Sequence, residues 1–563
     1  MSNTRMFLLL GLFAMGFLIY NQWQIDYGPQ PVANPAENAA TDQPEAPVSA
    51  ADLPDAASLP TESDVPPAMQ SAAPAAPAAP AAESAAGRVR ITTDVLDLEL
   101  SLAGGTLVQA DLLDFAVAPD IPDSKVRLMS DRPGAFYVAQ TGLLADNSPA
   151  PNHTQLFSAA SDRFMLADGA DELVVPLTWY ENGVTVRREY VLTRGLYTIQ
   201  VRDFIENNTS ERWIGRAYRQ LQREPLPEFE GSTFTNPQRF SFTGPAIFTP
   251  EDKYQKFDFE DLSPQPEQAT SSNGWMAMVQ HYFLSAWVPP ADEETTFQVA
   301  QITGQLRFVA RAFSPVIAVE PGSTGGFEAT LVLGPKLQDR LDDIAEGLAL
   351  TVDYGVFTPF SKILFWLLEK IYGVVGNWGW AIVLLTVLVK AAFYKLTEAQ
   401  YKSMAKLRKL QPRIQSLKER YGDDKQQFNL KMMEIYKTEK VNPLGGCLPV
   451  LIQIPVFIAL YWVLVESVEL RQAPFMLWIN DLSSPDPYFI LPIINGAAMF
   501  MTTKLSPNPA ADPIQQRIML SMPIIFSVMF AFFQAGLVLY WAVNAVLSLA
   551  QQWVITKRID AQG

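Results

Sequence analysis

Apolar and polar residues alternate in short runs from Arg88 onward, which is the period expected of β-strands with one buried face. The runs 173–180 and 184–192 flank an Asn-Gly pair at 182–183, a combination typical of a hairpin turn. Further strands are predicted at 191–205, 297–302, 306–312 and 326–333, and helical periodicity first appears at 336–350. We therefore expect residues 88–350 to form a large antiparallel β-sandwich that ends in a helix.

The remainder of the chain is dominated by apolar stretches that are long enough, or nearly so, to span a bilayer. There are five of them, at 374–394, 444–468, 488–503, 518–533 and 537–555. The segment 354–373 that precedes them is apolar with a narrow polar edge, which favours a helix lying on the membrane surface. The alternative, which the pattern leaves open, is that this segment only extends the first span.

Apolar residues also recur every three or four positions between the first two of these spans, in the segment 396–440. Gly422, Asp423 and Asp424 interrupt that period as a helix stop followed by an N-cap. The segment is therefore predicted to be an antiparallel helical hairpin with a facing apolar seam. Its first helix is basic through Lys406, Arg408, Lys409 and Arg413, among others. These charges indicate either a docking surface or only the sidedness of the loop.

The segments outside the β domain and the apolar stretches differ from one another in composition. Residues 1–24 hold an unbroken apolar run after Arg5 and no cleavage pattern directly behind it, so an uncleaved membrane anchor is favoured over a signal peptide. Residues 25–87 are rich in Ala and Pro and are predicted to be an extended linker. Residues 557–563 form a short basic tail.

The charge of the chain, −17 in total, is divided unevenly. Residues 21–355 hold 21 basic and 46 acidic residues, whereas residues 356–563 hold 20 basic and 13 acidic ones. The loop 395–440 alone has 12 Lys and Arg against six Asp and Glu, which places it in the cytosol by the positive-inside rule. Followed outward, this assignment predicts six spans, two cytosolic termini and a periplasmic β domain at a bacterial inner membrane.

Candidate chemistry is sparse. With one cysteine and two distant histidines, the chain has none of the common metal-binding spacings, and we expect no cofactor. The acidic soluble half has no basic stripe, which argues against direct DNA binding.

Lys390 is the most informative polar residue within the apolar stretches, and Thr386 lies one turn before it on the same helix face. A charge in mid-membrane costs about 2.5–3.5 kcal/mol. A lysine this close to Lys395 can instead extend its ammonium to the membrane surface. The residues alone leave both interpretations open. Gln453 and Asn544 add neutral polar groups to two other spans, and no carboxylate relay of the kind a proton-coupled transporter uses is found among them.

The chain resembles the YidC/Oxa/Alb family of membrane protein insertases, in its Gram-negative form. The resemblance is dense over 354–556. It rests on the segments 396–401, 403–406, 410–412, 422–426, 441–447 (Val-Asn-Pro-Leu-Gly-Gly-Cys), 468–475 and 536–541 (Gly-Leu-Val-Leu-Tyr-Trp).

This resemblance implies a nucleotide-independent, non-enzymatic insertase that inserts and folds nascent inner-membrane proteins, alone or beside the Sec translocon and its accessory subunits. It implies a five-span core around a hydrophilic groove, a β-supersandwich in the periplasm, and ribosome or signal-recognition components at the cytosolic hairpin. A basic groove residue maps to Lys390, where the family usually has Arg, and Thr386, Gln453 and Tyr540 map to its lining. Trp541 stands where Tyr is common, and Asn544 lies beyond it. A transporter or channel is the alternative function, and an envelope carbohydrate-active enzyme is a third.

Overall fold

The structure is a computed structural model that describes residues 87–146, 148–225, 241–421, 424–439, 448–505 and 513–561. The predicted N-terminal anchor, all of the linker except Gly87, Asp423 and the motif at 441–447 lie outside the described residues. Twenty strands are described: β1 Arg88–Thr92, β2 Leu96–Ser101, β3 Thr106–Ala116, β4 Lys125–Met129, β5 Tyr137–Ala145, β6 Ser158–Ala159, β7 Arg163–Met165, β8 Glu172–Glu181, β9 Val184–Thr193, β10 Thr198–Asn207, β11 Trp213–Arg223, β12 Gly244–Thr249, β13 Lys253–Lys256, β14 Glu267–Ser271, β15 Trp275–Val279, β16 Phe283–Val288, β17 Thr295–Gln301, β18 Phe308–Phe313, β19 Ile317–Val319 and β20 Thr324–Pro335.

These strands form two sheets, and the prediction of a large β-rich domain is confirmed. One sheet has the order β14-β17-β18-β11-β5-β3-β2-β1-β7, with β19 paired to β11 and β4 to β3. The other has the order β13-β12-β15-β16-β20-β10-β9-β8-β6. Pairing is antiparallel throughout the described strands except between β1 and β7. The inward faces of both sheets share one hydrophobic core, which includes Trp213, Trp287 and Phe297.

The predicted hairpin is confirmed at β8 and β9, which pair from Glu172–Thr193 to Glu181–Val184. Asn182 and Gly183 both have positive φ angles, 46° and 90°. A two-residue turn of this kind matches the twist of the strands it joins, and Asn and Gly tolerate the left-handed backbone it requires.

A charged cluster lies inside this sandwich. Arg188 on β9 donates from Nε to Oδ1 of Asp203 on β10 at 2.6 Å, and Arg219 on β11 donates from Nη2 to its Oδ2 at 2.9 Å. All three side chains are buried. Burial lowers the pKa of the Arg219 guanidinium. Burial also opposes the charge of Arg188, but Asp203 and Tyr190 together outweigh it and raise the pKa of that guanidinium. One carboxylate thus holds two buried cations.

The rest of the described chain is helical. The helices are α1 Gln338–Ile344, α2 Thr358–Val375, α3 Trp378–Ala392, α4 Tyr394–Lys409, α5 Gln411–Tyr421, α6 Lys425–Thr438, α7 Leu448–Glu466, α8 Ile490–Leu505, α9 Pro513–Phe530 and α10 Ala535–Ala561. Short 3-10 turns occupy Leu348–Thr351, Gly355–Phe357 and Val468–Leu470, so the predicted helix at 336–350 is broken after Ile344. Helix α10 packs against α8, α3 and α4, and α2 packs against α3 and α7.

The predicted boundary between the surface helix and the first span is wrong by a few residues. Helix α2 runs on to Val375 and ends at Gly376, whose φ of 66° is the left-handed conformation that terminates many helices. Asn377 then caps α3, because its side chain accepts a hydrogen bond from the backbone N–H of Trp380 at 3.0 Å. The predicted surface helix and the first predicted span therefore correspond to two separate helices, α2 and α3, and α3 begins at Trp378 rather than at 374.

The first helix of the predicted hairpin is also interrupted. It divides into α4 and α5 at Leu410, two residues before Pro412, whose ring disfavours a continuous helix through the preceding turn. Leu410, Ile414 and Tyr436 form a small buried cluster between α5 and α6, with Phe428 and Met432 beside it. Among the side chains that the structure describes, the apolar seam thus lies between α5 and α6.

Only part of the predicted membrane topology is visible in helix lengths. Among the described helices, the segment Ala535–Arg558 is by itself long and apolar enough to cross a bilayer. A second crossing would result if Trp378–Ala392 and Tyr394–Ser403, which meet at 62°, made one bent span. Gln453–Glu466, Ile490–Leu505 and Arg517–Phe530 are shorter apolar helices. Six spans are therefore not confirmed.

The β domain and the helices are joined through the end of α7. Lys336, directly after β20, forms a 3.2 Å ion pair with Glu466, and each side chain is only 2% exposed. Glu466 also accepts a hydrogen bond from the Ser241 hydroxyl. Beyond it, Nη2 of Arg471 donates to the carbonyl oxygen of Ala116 at the end of β3, at 2.6 Å. Buried polar contacts thus hold the end of this helix in the β domain.

Candidate functional site

Lys390 lies in the last turn of α3, just before the bend into α4, and its side chain is half-buried. Its Nζ donates a hydrogen bond to Oγ of Ser548 on α10 at 2.7 Å. No carboxylate in the described parts of the chain forms an ion pair with it. The ammonium is therefore held inside the helical part by a neutral hydroxyl and keeps its charge uncompensated by the described residues.

Thr386 is buried one turn before Lys390, but its hydroxyl does not face the lysine. Its Oγ1 donates to the carbonyl oxygen of Ile382 at 2.7 Å, a bond within its own helix. Asn544 contributes through its backbone, because its carbonyl oxygen accepts from the Ser548 hydroxyl at 2.7 Å. The structure therefore brings Lys390 and Asn544 together through Ser548, and it turns the hydroxyl of Thr386 back into α3.

An aromatic cluster occupies the next two turns of α10 toward its N-terminus. Tyr540 is 2% exposed and its ring stacks on Phe457 of α7 at a centroid distance of 6.3 Å. Trp541 meets Phe457 edge-on at 4.3 Å and lies 4.9 Å from Phe530 of α9. The indole Nε1 of Trp541 is buried and has no hydrogen-bond partner among the residues that the structure describes. Three helices therefore converge on one aromatic group.

Gln453 lies on α7, one turn before Phe457, and its side chain is half-buried. Residues one turn apart share a helix face, so Gln453 lies on the face that Phe457 turns toward α10. Of the predicted lining residues, Tyr540 and Trp541 thus belong to the α7–α10 contact through Phe457, and Gln453 lies on α7 one turn before that residue. Lys390 and Asn544 belong to the α3–α10 contact.

The residues predicted for the hairpin are dispersed. Arg413 on α5 is 68% exposed and pairs with Glu439 at 2.6 Å. Asp424 caps α6, since its Oδ1 accepts from the backbone N–H groups of Gln426 and Gln427 at 3.0 Å each. Lys406, Arg408 and Lys409 lie along α4. The capping role follows the predicted helix-stop pattern, and the cationic residues lie on two different helices.

Two residues of the site escaped the sequence reasoning. Ser548 is the partner of Lys390, and the hydroxyl of Tyr401 on α4 donates to the Ser548 carbonyl oxygen at 3.3 Å. A signal for Ser548 was present, because it lies one turn after Asn544 and two turns after Trp541 on α10. Tyr401 lies in the segment predicted to be the hairpin, and the structure turns its hydroxyl toward α10.

Comparison with known proteins accounts for both parts of the chain. Residues 370–562 match the family described as the 60Kd inner membrane protein, and residues 88–367 match the YidC periplasmic domain. A relative from Methylococcus capsulatus, named membrane protein insertase YidC, is 48% identical over all of this chain and 99% of its own length. A relative with the same name from Thioalkalivibrio sulfidiphilus is 47% identical over 100% of both chains.

A solved structure also aligns with the chain. It is described as an active YidC insertase with the first transmembrane domain resolved. It covers 86% of this chain and 94% of its own, with 19% identity and a TM-score of 0.38.

An inner-membrane chain that carries this large β-rich periplasmic domain belongs to the class of membrane protein insertases. Within that class, the chain belongs to the YidC family. Its function is the insertion of membrane proteins, which is not an enzymatic reaction, and nascent membrane proteins and the lipid bilayer are accordingly its substrate and its medium. The transporter or channel considered from the sequence is not favoured.

Proposed function

We propose that residues 374–556 form a five-span insertase core with a hydrophilic groove, and that the Lys390 ammonium is the positive charge which draws acidic groups of a substrate's translocated tail into it. One observation carries this proposal. Lys390 is half-buried between α3 and α10, and its partner is the Ser548 hydroxyl rather than any described carboxylate.

The energetics favour a substrate role for this charge. A cation in mid-membrane costs about 2.5–3.5 kcal/mol, and a single neutral hydrogen bond offsets only about 0.5–1.5 kcal/mol of such a cost. A substrate carboxylate adds Coulomb attraction that is stronger here than in water, because the surroundings are partly desolvated. The tail then crosses a shortened apolar path, and burial of the substrate's apolar segment in lipid drives the reaction at about 25 cal/mol per Å².

The remaining groove residues take supporting parts in this mechanism. Tyr540 and Trp541 form an aromatic wall with Phe457, against which an apolar substrate segment can pack, and the indole Nε1 of Trp541 is a donor within that wall. Gln453 adds an amide beside that wall. Lysine at 390 presents a point charge without the planar fork of arginine, so the site selects acidic tails by charge and not by bidentate geometry.

The membrane topology belongs to the same proposal. The chain crosses the inner membrane six times, with both termini in the cytosol and the β domain in the periplasm. The excess of Lys and Arg in the loop 395–440 supports this orientation, and so does Lys557-Arg558 at the end of α10. Helices α7, α8 and α9 would each count as one short span, which requires local thinning of the bilayer or a continuation into neighbouring residues.

Partners are proposed on the same charge pattern. The hairpin α5–α6 and the basic helix α4 face the cytosol in this topology, where an exposed cation such as Arg413 suits the acidic surface of a ribosome or of signal-recognition components. The β domain lies on the opposite side, where it is available to the Sec translocon and its accessory subunits.

The decisive experiment compares two substrates that differ only in tail charge. A single-span test protein with two aspartates in a short N-terminal tail, and its twin with two asparagines, are offered to proteoliposomes that contain the full chain. Lys390→Glu should reduce insertion of the aspartate form at least tenfold, because repulsion replaces attraction. The asparagine form should change much less. Protease protection of the tail measures both.

The matched control is Lys395→Glu. Lys395 is five residues further along the chain and 92% exposed, so the same charge change there is screened by water and salt. Full insertion of the aspartate form by the Lys390→Glu protein would contradict the proposal.

A further inference from the structure

Three helices meet at Ser548. Its hydroxyl accepts from Nζ of Lys390 on α3 at 2.7 Å, and its carbonyl oxygen accepts from the Tyr401 hydroxyl on α4 at 3.3 Å. The Ser548 hydroxyl itself donates to the carbonyl oxygen of Asn544 on the same helix, α10, also at 2.7 Å. No other residue of the described chain hydrogen-bonds the Lys390 side chain.

The hydrogen bond from Ser548 to Asn544 orients the Ser548 hydroxyl independently of Lys390. A serine hydroxyl has one proton and two lone pairs. The proton is committed to Asn544, so a lone pair is left to point away from α10, where the ammonium lies. Serine bonded back to its own helix in this way is restricted in rotation. Tyr401 holds the backbone of the same residue from a second side.

Lys390 gains a defined place from this contact. A lysine side chain has four rotatable bonds and can reach well beyond its own helix turn, as the extension toward the membrane surface in the sequence-based alternative illustrates. An ammonium has three donors, of which Ser548 takes one. The other two are not used by described residues and remain for an incoming acceptor.

We infer that Ser548 is a positioning residue for insertion: it holds the Lys390 ammonium against α10, inside the groove, and prevents its withdrawal to the cytosolic surface. The inference rests on the proposed role of Lys390. Ser548 itself does not contact the substrate's carboxylates, so its contribution is expressed only through the lysine.

The test uses the full chain in proteoliposomes and the aspartate-tailed and asparagine-tailed substrates. Ser548→Ala removes the acceptor while it retains the helix, and it should lower insertion of the aspartate form roughly tenfold, the effect of one hydrogen bond to a charged group. The asparagine form should change by less than about twofold. Ser548→Thr keeps a hydroxyl with the same back-bond and should restore the aspartate form.

The matched control is Ser521→Ala on α9. Ser521 also donates back to its own helix, to Ile518 at 2.9 Å, but it is exposed and away from Lys390. It should leave both substrates unaffected. The double variant Lys390→Ala/Ser548→Ala should insert the aspartate form no more slowly than Lys390→Ala alone, because the two residues act as one unit.

Each other result has a defined meaning. An equal loss for both substrates in Ser548→Ala shows a merely structural serine and overturns the inference, and so does no loss for either. If Lys390→Ala loses the preference for the aspartate form while Ser548→Ala retains it, the positioning role is rejected and the proposed function stands. If Lys390→Ala itself keeps the preference, both are rejected.

Discussion

The β domain and the helical part both enclose cations, but they differ in whether a carboxylate is paired with the cation. In the β domain, Arg188 and Arg219 share the carboxylate of Asp203, and Lys336 at the junction is paired with Glu466. In the helical part, the Ser548 hydroxyl is the one described hydrogen-bond partner of the Lys390 ammonium. The paired cations are part of the scaffold, because each carboxylate restores much of the solvation that burial removed.

Lys390 lacks such compensation within the described chain, and the difference has a functional meaning. A charge without its counter-charge weakens the fold that holds it, and the acidic substrate tail of the proposed function would supply the missing charge. The difference also gives a criterion: neutralising a scaffold cation should destabilise the protein, whereas neutralising Lys390 should not.

The largest expected effect is at Asp203. Asp203→Ala leaves two buried guanidinium groups without a counter-charge, and the cost should lie near the upper end of the range for broken buried pairs, about 5 kcal/mol. Urea titration of the purified chain, followed by the β-sheet circular dichroism signal, measures it. The control is Asp97→Ala, which breaks the exposed pair with Arg90 and should cost about 1 kcal/mol or less. Equal costs for the two variants would show that burial of the cluster is unimportant.

A smaller effect is expected at the junction. Lys336→Met removes the cation that faces Glu466, but Glu466 keeps its hydrogen bond from the Ser241 hydroxyl. The free energy of unfolding should therefore fall by about 3 kcal/mol. Adding Glu466→Gln to this variant removes the stranded charge and should recover part of the loss. Thermal unfolding of the full chain in detergent follows all three proteins. A double variant that is less stable than Lys336→Met would indicate that Glu466 is needed for contacts other than this pair.

The smallest expected effect on stability is at Lys390. The substitution by methionine is the same as at Lys336, but the surroundings of the lysine differ. Lys390→Met should change the free energy of unfolding by less than about 1 kcal/mol, or raise it, since a poorly compensated cation is replaced by an apolar side chain of similar length. Insertion of aspartate-tailed substrates should nevertheless fall. A loss of stability as large as that of Lys336→Met would place Lys390 among the scaffold cations and remove the distinction drawn above.

Sequence reasoning succeeded where the determining contacts are local. Asn182 and Gly183 specified the hairpin because a positive φ is a property of two adjacent residues. Asp424 was identifiable as a cap from its position before α6. The same reasoning placed the break after the predicted surface helix at 373, whereas α2 continues to Val375 and Asn377 caps α3.

Sequence reasoning identified only part of the candidate site. Lys390 and Asn544 stood out because charged and polar side chains are rare in an apolar run, and Trp541 followed from the family resemblance. Ser548 did not stand out, since a serine on a membrane helix is unremarkable until its partner is known. The Arg188–Asp203 pair did not stand out either. Charged residues on strands in which apolar and polar positions alternate are usually expected to face solvent.

The sequence by itself determined the order of the parts, the β character of residues 88–335 and the apolar segments that follow. These properties depend on residues close together in the chain. Only the tertiary structure decided which buried charges are compensated. Lys390 and Ser548 are 158 positions apart, and Lys336 and Glu466 are 130 apart, so no local pattern could have paired them. Whether a buried cation supports the fold or is kept for a ligand is a property of its surroundings, and those are assembled only when the chain folds.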